Sequence, residues 1–303
     1  MENKQFFHLC GNGTQSRNFI TCEADFQAAF NLIGVCAANT DAVVVSFSIE
    51  ESHPHALLWG TQTECLLFKD KYESQYRHFA AATRSKGFEL VLDFELYPIG
   101  NDENYLKNVA IYTIIQPTKD GKPVMFYDYR WGTGSMYFRG KNYVPVWYFD
   151  RQGVIREPRL FSEFNKLEKR AIVHSQSLRI PNDWKICNGL IIPTNYIDPK
   201  IFESIYRTHN AFRVFAASSK SREEEMLRKM ADYHGSSLDD LEARQLCGDI
   251  SKQMFGTRDP RRLNSSQRIT LAQQLRRLYK MSFRQLSTII RVNEQDLRLY
   301  VKY

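Results

Sequence analysis

The segment DAVVVSFSIEESHPHALLWG, residues 41–60, constrains the fold more than any other stretch of this chain. Val43, Val44 and Val45 form a β-branched run of the kind that packs well on a pleated surface. Glu50-Glu51-Ser52 supplies a turn, and HPHALLWG runs back as the next strand. Two strands joined by so short a link can pair antiparallel but not parallel. Side chains alternate across a strand, so His53 and His55 point to the same face. That spacing suits a metal ion or a phosphate. The plain alternative is two histidines in a loop.

Around this hairpin the pattern alternates. QFFHLC (5–10) reads as a first strand and GNGTQSRN as the loop after it. From Glu23 onward, Phe26, Ala29, Phe30 and Ile33 recur at helical spacing. Residues 66–86 repeat the signal, with Phe68, Tyr72, Tyr76 and Phe79 on one face. FELVLDFELYPI reads as one or two strands, and residues 101–117 as a helix capped by Asn101 or Asp102 and ended at Pro117. The order β-α-β-β-α-β-α predicts an α+β fold: a ferredoxin-like antiparallel sheet with helices on one side. The aromatic, glycine-punctuated residues 120–150 are expected to cap this first domain, residues 1–150. Residues 151–220 read as a mixed connector packed on it, and residues 221–303 as a helical region.

Within that last region, Leu271, Leu275 and Leu278 share a helical face. Ser282-Phe283-Arg284-Gln285 reads as a capping box opening a second helix, whose apolar face is Phe283, Leu286, Ile289 and Ile290. Asn293 caps a third helix, with Val292 and Leu297 as a hydrophobic staple. Two short helices joined by a tight turn predict a helix-turn-helix. Gln295, Arg298 and Lys302, with Arg284, would then meet bases and phosphates. Arg258, Arg261, Arg262, Arg268, Arg276, Arg277 and Lys280 make the region basic. The bland alternative is a helical packing module with a solvated basic surface.

The whole chain carries a net charge of +7, which leans weakly toward polyanionic partners. Its six cysteines show no C-x-x-C pair and no zinc or disulfide framework, so they read as reduced, mostly buried thiols. MENKQFFHLC lacks the apolar run of a signal peptide, and no stretch reaches membrane-spanning length. The expectation is a cytoplasmic protein with no membrane partner.

Chemistry concentrates on the helix at 101–117. Tyr105, Val109, Tyr112 and Gln116 fall on one face. Tyr112 is a candidate covalent nucleophile, but a phenol of ordinary pKa (about 10) needs activation. A divalent metal beside an attacked phosphate supplies it. Two imidazoles and an amide oxygen, from His53, His55 and Gln116, make a plausible open site for Mg2+ or Mn2+. Each element alone is commonplace, since H-x-H arises by chance and a helical tyrosine is usually core. Their order along the chain is the specific part.

That order resembles the HUH single-strand endonucleases, and more closely the single-tyrosine transposases of the REP-associated group, over residues 5–140. VVVSFSIEESHPHALLWG is similar to the family's strand pair with paired histidines. YLKNVAIYTIIQPTKDGKP is similar to its nucleophile helix, and DYRWGTGSMYF to the segment that follows. GLIIPTNYIDPKIFESI and the C-terminal helices resemble the longer members more faintly. The resemblance implies that His53, His55 and Gln116 hold the metal. Tyr112 would attack single-stranded DNA to give a 5′-phosphotyrosine and a free 3′-hydroxyl. It also implies hairpin recognition and a homodimer.

Two departures stand out. Pro54 sits between the histidines where the family has a bulky apolar residue, and proline fits only a strand start, an edge or a bulge. Arg291 occupies a turn position where glycine is common. His8, His78, His174, His209 and His234 read as structural or surface residues, and Tyr105, Tyr127 and Tyr129 as decoys. The alternatives to a strand transferase are a relative that binds structured DNA without cutting it, and a metal hydrolase that uses water.

Overall fold

A computed structural model describes residues 2–11, 16–85, 87–100, 102–119, 125–140, 142–175, 178–217, 240–279, 281 and 283–301. The chain forms two compact units, Met1–Glu223 and Glu224–Tyr303.

The first unit is built on strands β1 (Gln5–Gly11), β2 (Val43–Ile49), β3 (Pro54–Gly60) and β4 (Phe94–Pro98), in spatial order β2-β3-β1-β4. Every neighbouring pair is antiparallel. Helices α1 (Glu23–Ala37), α2 (Gln62–Thr83) and α3 (Glu103–Lys119) alternate with the strands in the order read from sequence. The class is α+β. The opening segment forms the β2–β3 hairpin, with Ser48 opposite His55 and a bulge between Val44 and Ser46. Pro54 is the first residue of β3, a position that tolerates the missing N–H.

The helices do not lie on one side of the sheet, contrary to the sequence expectation. Phe30 of α1 meets Phe47 of β2 edge-on at 5.2 Å, and Tyr72 of α2 lies 6.0 Å from Phe94 of β4. These contacts place α1 and α2 on the face shared by Leu9 and Ala56. The opposite face carries Ser46, His8 and His55, and α3 covers it: Ser46 Oγ lies 2.6 Å from Thr113 Oγ1. The physical reason is that β1, β2 and β3 are apolar or buried on both sides, so a single helix layer would leave half of that surface in water.

Helix α2 buries Phe68, Tyr72, Tyr76 and Phe79, as its periodicity predicts. It starts four residues before the expected point because Thr61 and Glu64 close a capping box. Helix α3 is capped by Asp102, whose Oδ1 accepts the N–H groups of Asn104 and Tyr105 at 3.0 Å. It does not end at Pro117 but runs to Lys119. Proline's own φ is helical, so near a helix end it removes one N–H without forcing an exit.

Residues 131–133 protect the edge of β2. Trp131 O accepts Ile49 N–H at 2.8 Å, and Thr133 N–H donates to Phe47 O at 2.9 Å. Beyond them, β5 (Arg159–Leu160), β6 (Lys185–Cys187) and β7 (Leu190–Ile191) form a small antiparallel sheet in that order. The β6–β7 turn is Asn188-Gly189, both residues at positive φ (52° and 77°). Helices α4 (Lys166–Val173), α5 (Pro199–Tyr206) and α6 (His209–Ala217) complete the unit.

The second unit contains α7 (Asp240–Phe255), α8 (Ser265–Tyr279), α9 (Phe283–Ile290) and α10 (Glu294–Tyr300). Its core includes Cys247, Leu271, Leu275, Phe283, Leu286, Ile290 and Leu297. Leu278, expected on that face, is 51 % exposed because the buried stripe of Leu271, Ala272, Leu275 and Arg276 is centred to one side of it. Asn293 Oδ1 accepts Gln295 N–H at 2.8 Å and caps α10, and Val292 packs against the core that buries Leu297. The turn between α9 and α10 places Arg291 at φ 56°, the left-handed region where glycine costs least. Among the described residues, no helix is long and apolar enough to cross a membrane.

Candidate functional site

The sheet face beneath α3 gathers most of the chain's chemically interesting side chains. β3 presents His55, and His53 lies at the strand's mouth. The two rings meet edge-on with centroids 4.5 Å apart. Gly11 makes this possible, since a Cβ there would overlap the Cβ of His53. His53 Nδ1 lies 2.7 Å from Ser52 Oγ, which leaves Nε2 as the nitrogen able to face a ligand. Tyr112, on α3, stands edge-on to His55 at 5.0 Å. Its residue is only 6 % exposed.

Gln116 follows Tyr112 by one helical turn on α3 and is half-buried. Its Oε1 is buried with no hydrogen-bond partner. An orphaned acceptor of this kind costs free energy on the order of 1–3 kcal/mol unless something occupies it. Thus His53, His55 and Tyr112 converge, and Gln116 extends from the same helix. Val109 and Tyr105, one and two turns before Tyr112, are buried in the same face.

Two residues of this site were not picked out by sequence reasoning. His8, read as structural or surface, is fully buried and stacks on His55 at 5.6 Å, with Tyr112 edge-on at 5.9 Å. Cys10, two residues along β1, pairs in register with His55. One ligand atom from each of His8, Cys10 and His55 lies within 4.8 Å of the other two. The signal was present: FFHLC has H-x-C on a strand, the same alternation used for H-P-H.

Electrostatically the site favours uncharged forms. Burial, reinforced by the neighbouring His53, lowers the His8 pKa to about 3. Burial alone lowers His53 to about 4. Both imidazoles are therefore neutral near pH 7, the form that ligates a metal. Burial, followed by the nearby Glu95, pushes the Cys10 thiol far above its ordinary range.

The C-terminal surface answers the sequence expectation unevenly. Gln295 is exposed on α10. The side chains of Arg284 and Arg298, and the whole of Lys302, lie outside the described residues, as do Ser282 and Lys280. Arg276 is not available to a phosphate. It is 5 % exposed, lies 3.7 Å above the Phe283 ring and donates to Met281 O at 3.0 Å. Arg268 donates to the carbonyls of Leu263, Arg261 and Arg291, and Arg258 and Arg261 are paired with Asp249 and Asp259. Part of the basic composition is thus structural.

No protein-family model, curated protein or solved structure matches the chain.

Proposed function

We propose that the chain is a metal-dependent single-stranded DNA endonuclease and strand transferase with Tyr112 as nucleophile. The observation that carries this reading is the convergence of His53, His55 and Tyr112 on one sheet face, with ring centroids 4.5 and 5.0 Å apart. The strand order and βαββαβ chain order agree with the ferredoxin-like arrangement expected of an HUH nuclease. The donor set fits a divalent cation: two imidazoles, that of His53 with its pKa lowered by burial, and a buried amide oxygen in need of a partner. His53, His55 and Gln116 would hold Mg2+ or Mn2+, which when bound supplies polarisation of a phosphodiester P–O bond.

The chain's own contribution is position. In the proposed step the Tyr112 oxygen bonds to phosphorus as the P–O3′ bond breaks, and the phenol proton passes overall to the departing 3′-oxygen. The product is a 5′-phosphotyrosine and a 3′-hydroxyl, and reversal with another strand joins DNA. His8 is too weak a base to take that proton, with a pKa near 3. α9 and α10 form the proposed helix-turn-helix, with Gln295 on its exposed side. A homodimer and a cytoplasmic setting belong to the same reading.

The test is a covalent adduct. Incubation with single-stranded or hairpin DNA and Mn2+ should yield a DNA-linked peptide that mass spectrometry assigns to Tyr112. Tyr112→Phe should abolish the adduct and slow nicking by at least about a thousandfold, as loss of a nucleophile does. Unchanged nicking by Tyr112→Phe would end the assignment. A second reading, a protein that binds structured DNA without cutting it, is favoured by the burial of Tyr112. It predicts salt-dependent hairpin binding with no cleavage in any divalent metal.

A further inference from the structure

The geometry points to a second cation position on the same sheet face: His8, Cys10 and His55 form a site for a thiophilic divalent ion, Zn2+ above all. His8 and Cys10 alternate on β1, so both face α3, and His55 stands opposite Cys10 on β3. One ligand atom from each falls within 4.8 Å of the others, close enough for a shared ion after small side-chain adjustments. The His8 Nε2 to His55 Nδ1 distance is 3.4 Å. That is long for an imidazole hydrogen bond, whose usual N-to-acceptor separation is about 2.9–3.0 Å. It matches the spacing of about 3.3–3.4 Å between two nitrogens bound tetrahedrally to zinc at about 2.0–2.1 Å. His8 Nδ1 is buried without a partner, so no hydrogen bond at that nitrogen fixes the tautomer of the metal-free ring.

The chemistry of the donors selects the ion. A thiolate with two imidazoles prefers Zn2+ and disfavours Mg2+, which takes oxygen ligands. Three protein ligands leave one tetrahedral position open. Without metal, the Cys10 thiol donates to Gly11 O at 3.3 Å. Ion binding replaces the S–H bond with an S–metal bond and releases one proton to solvent. The site does not depend on Tyr112 being a nucleophile. It shares His55 with the Mg2+ or Mn2+ position proposed above, so zinc here withdraws a ligand from that position.

Cobalt titration of the full, metal-stripped chain tests this without DNA. One Co2+ per chain should bind with a near-ultraviolet thiolate-to-cobalt charge-transfer band and release one proton. Zn2+ should displace it, and excess Mg2+ should not. Cys10→Ser should remove the band and weaken Zn2+ binding by at least about a hundredfold, the upper end of what even an outer-shell partner contributes. Cys65→Ser, at a buried thiol elsewhere, should leave both intact. Should Cys10→Ser not fold, His8→Gln keeps the thiolate and must weaken binding and shift the band. A wild-type chain without the band, or a band that survives Cys10→Ser or is unmoved by His8→Gln, overturns the site. Failure of Tyr112→Phe to stop nicking would overturn the nuclease reading alone.

Discussion

At the scale of single residues, the site depends on how α3 is held against the sheet. Thr113, next to Tyr112, donates its only hydroxyl proton to Ala110 O at 2.8 Å. Ser46 Oγ must therefore be the donor in the fully buried 2.6 Å bond between the two hydroxyls. Thr113→Val keeps the shape but strands the Ser46 hydroxyl, at a cost of about 1–3 kcal/mol. Removing both partners in Ser46→Ala/Thr113→Val should recover most of that loss. Urea unfolding of the wild type and both variants checks it, and a double variant as weak as Thr113→Val would refute the assignment. The same face shows what one sequence can display. H-P-H and Y-x-x-x-Q were legible because alternation and helical spacing place them without knowing the fold. The H-x-C alternation of His8 and Cys10 was equally legible, but their meeting with His55 was not, because only the pairing of β1 with β3 brings them there and register is a non-local property.

At the scale of elements, one buried asparagine ties α1 to two later segments of the first unit. Asn31 lies mid-helix in α1, a place where asparagine is a poor helix former, and it is fully buried. Its amide donates to Ile172 O at 3.1 Å and Gly189 O at 2.9 Å, and its Oδ1 accepts Ile191 N–H at 2.9 Å. One side chain thus anchors both the end of α4 and the β6–β7 hairpin. Asn31→Leu would leave the Ile191 N–H and the Ile172 carbonyl buried without this partner, a loss of about 2–6 kcal/mol at roughly 1–3 per group. A fall in the urea midpoint at unchanged slope is the expected outcome, and a change under about 0.5 kcal/mol would contradict it. The hairpin itself could have been read from Asn-Gly set between Ile-Cys and Leu-Ile, the strongest short-range hairpin signal. What hid it was brevity, since strands of three and two residues carry no periodicity. The burial of α1 on nearly every side was equally hidden. Phe26, Ala29, Phe30 and Ile33 mark one stripe, while the small sheet and α4 cover the rest.

At the scale of the whole molecule, three buried imidazoles make stability depend on pH. His8, His53 and His174 are held neutral by burial, with pKa values of about 3, 4 and 4. In the unfolded chain each returns to the ordinary value near 6.5. Between those limits the unfolded state binds more protons than the folded one, so acid favours unfolding. The histidine contribution is therefore complete above about pH 6.5, declines as pH falls toward 4, and is exhausted below the folded values. Asp25 adds a loss at still lower pH. Although burial opposes it, hydrogen bonds from Thr21 and the Arg84 guanidinium hold its carboxyl below the usual range, so its stabilisation is present above about pH 3.8 and disappears as pH falls through the folded value. The histidine window is separable by substitution. His174 is remote in sequence from the candidate site, packs edge-on to Phe79 at 5.0 Å, and sits at φ 50°, which asparagine tolerates. His174→Asn should lower stability at pH 7.5 through lost packing, yet flatten the decline between pH 6.5 and 4.5 by on the order of 2 kcal/mol. Urea unfolding of the chelated protein across that range measures both slopes. Identical slopes for the wild type and His174→Asn would mean that His174 takes up its proton as readily in the folded chain as in the unfolded one, and burial would then not be what sets its charge.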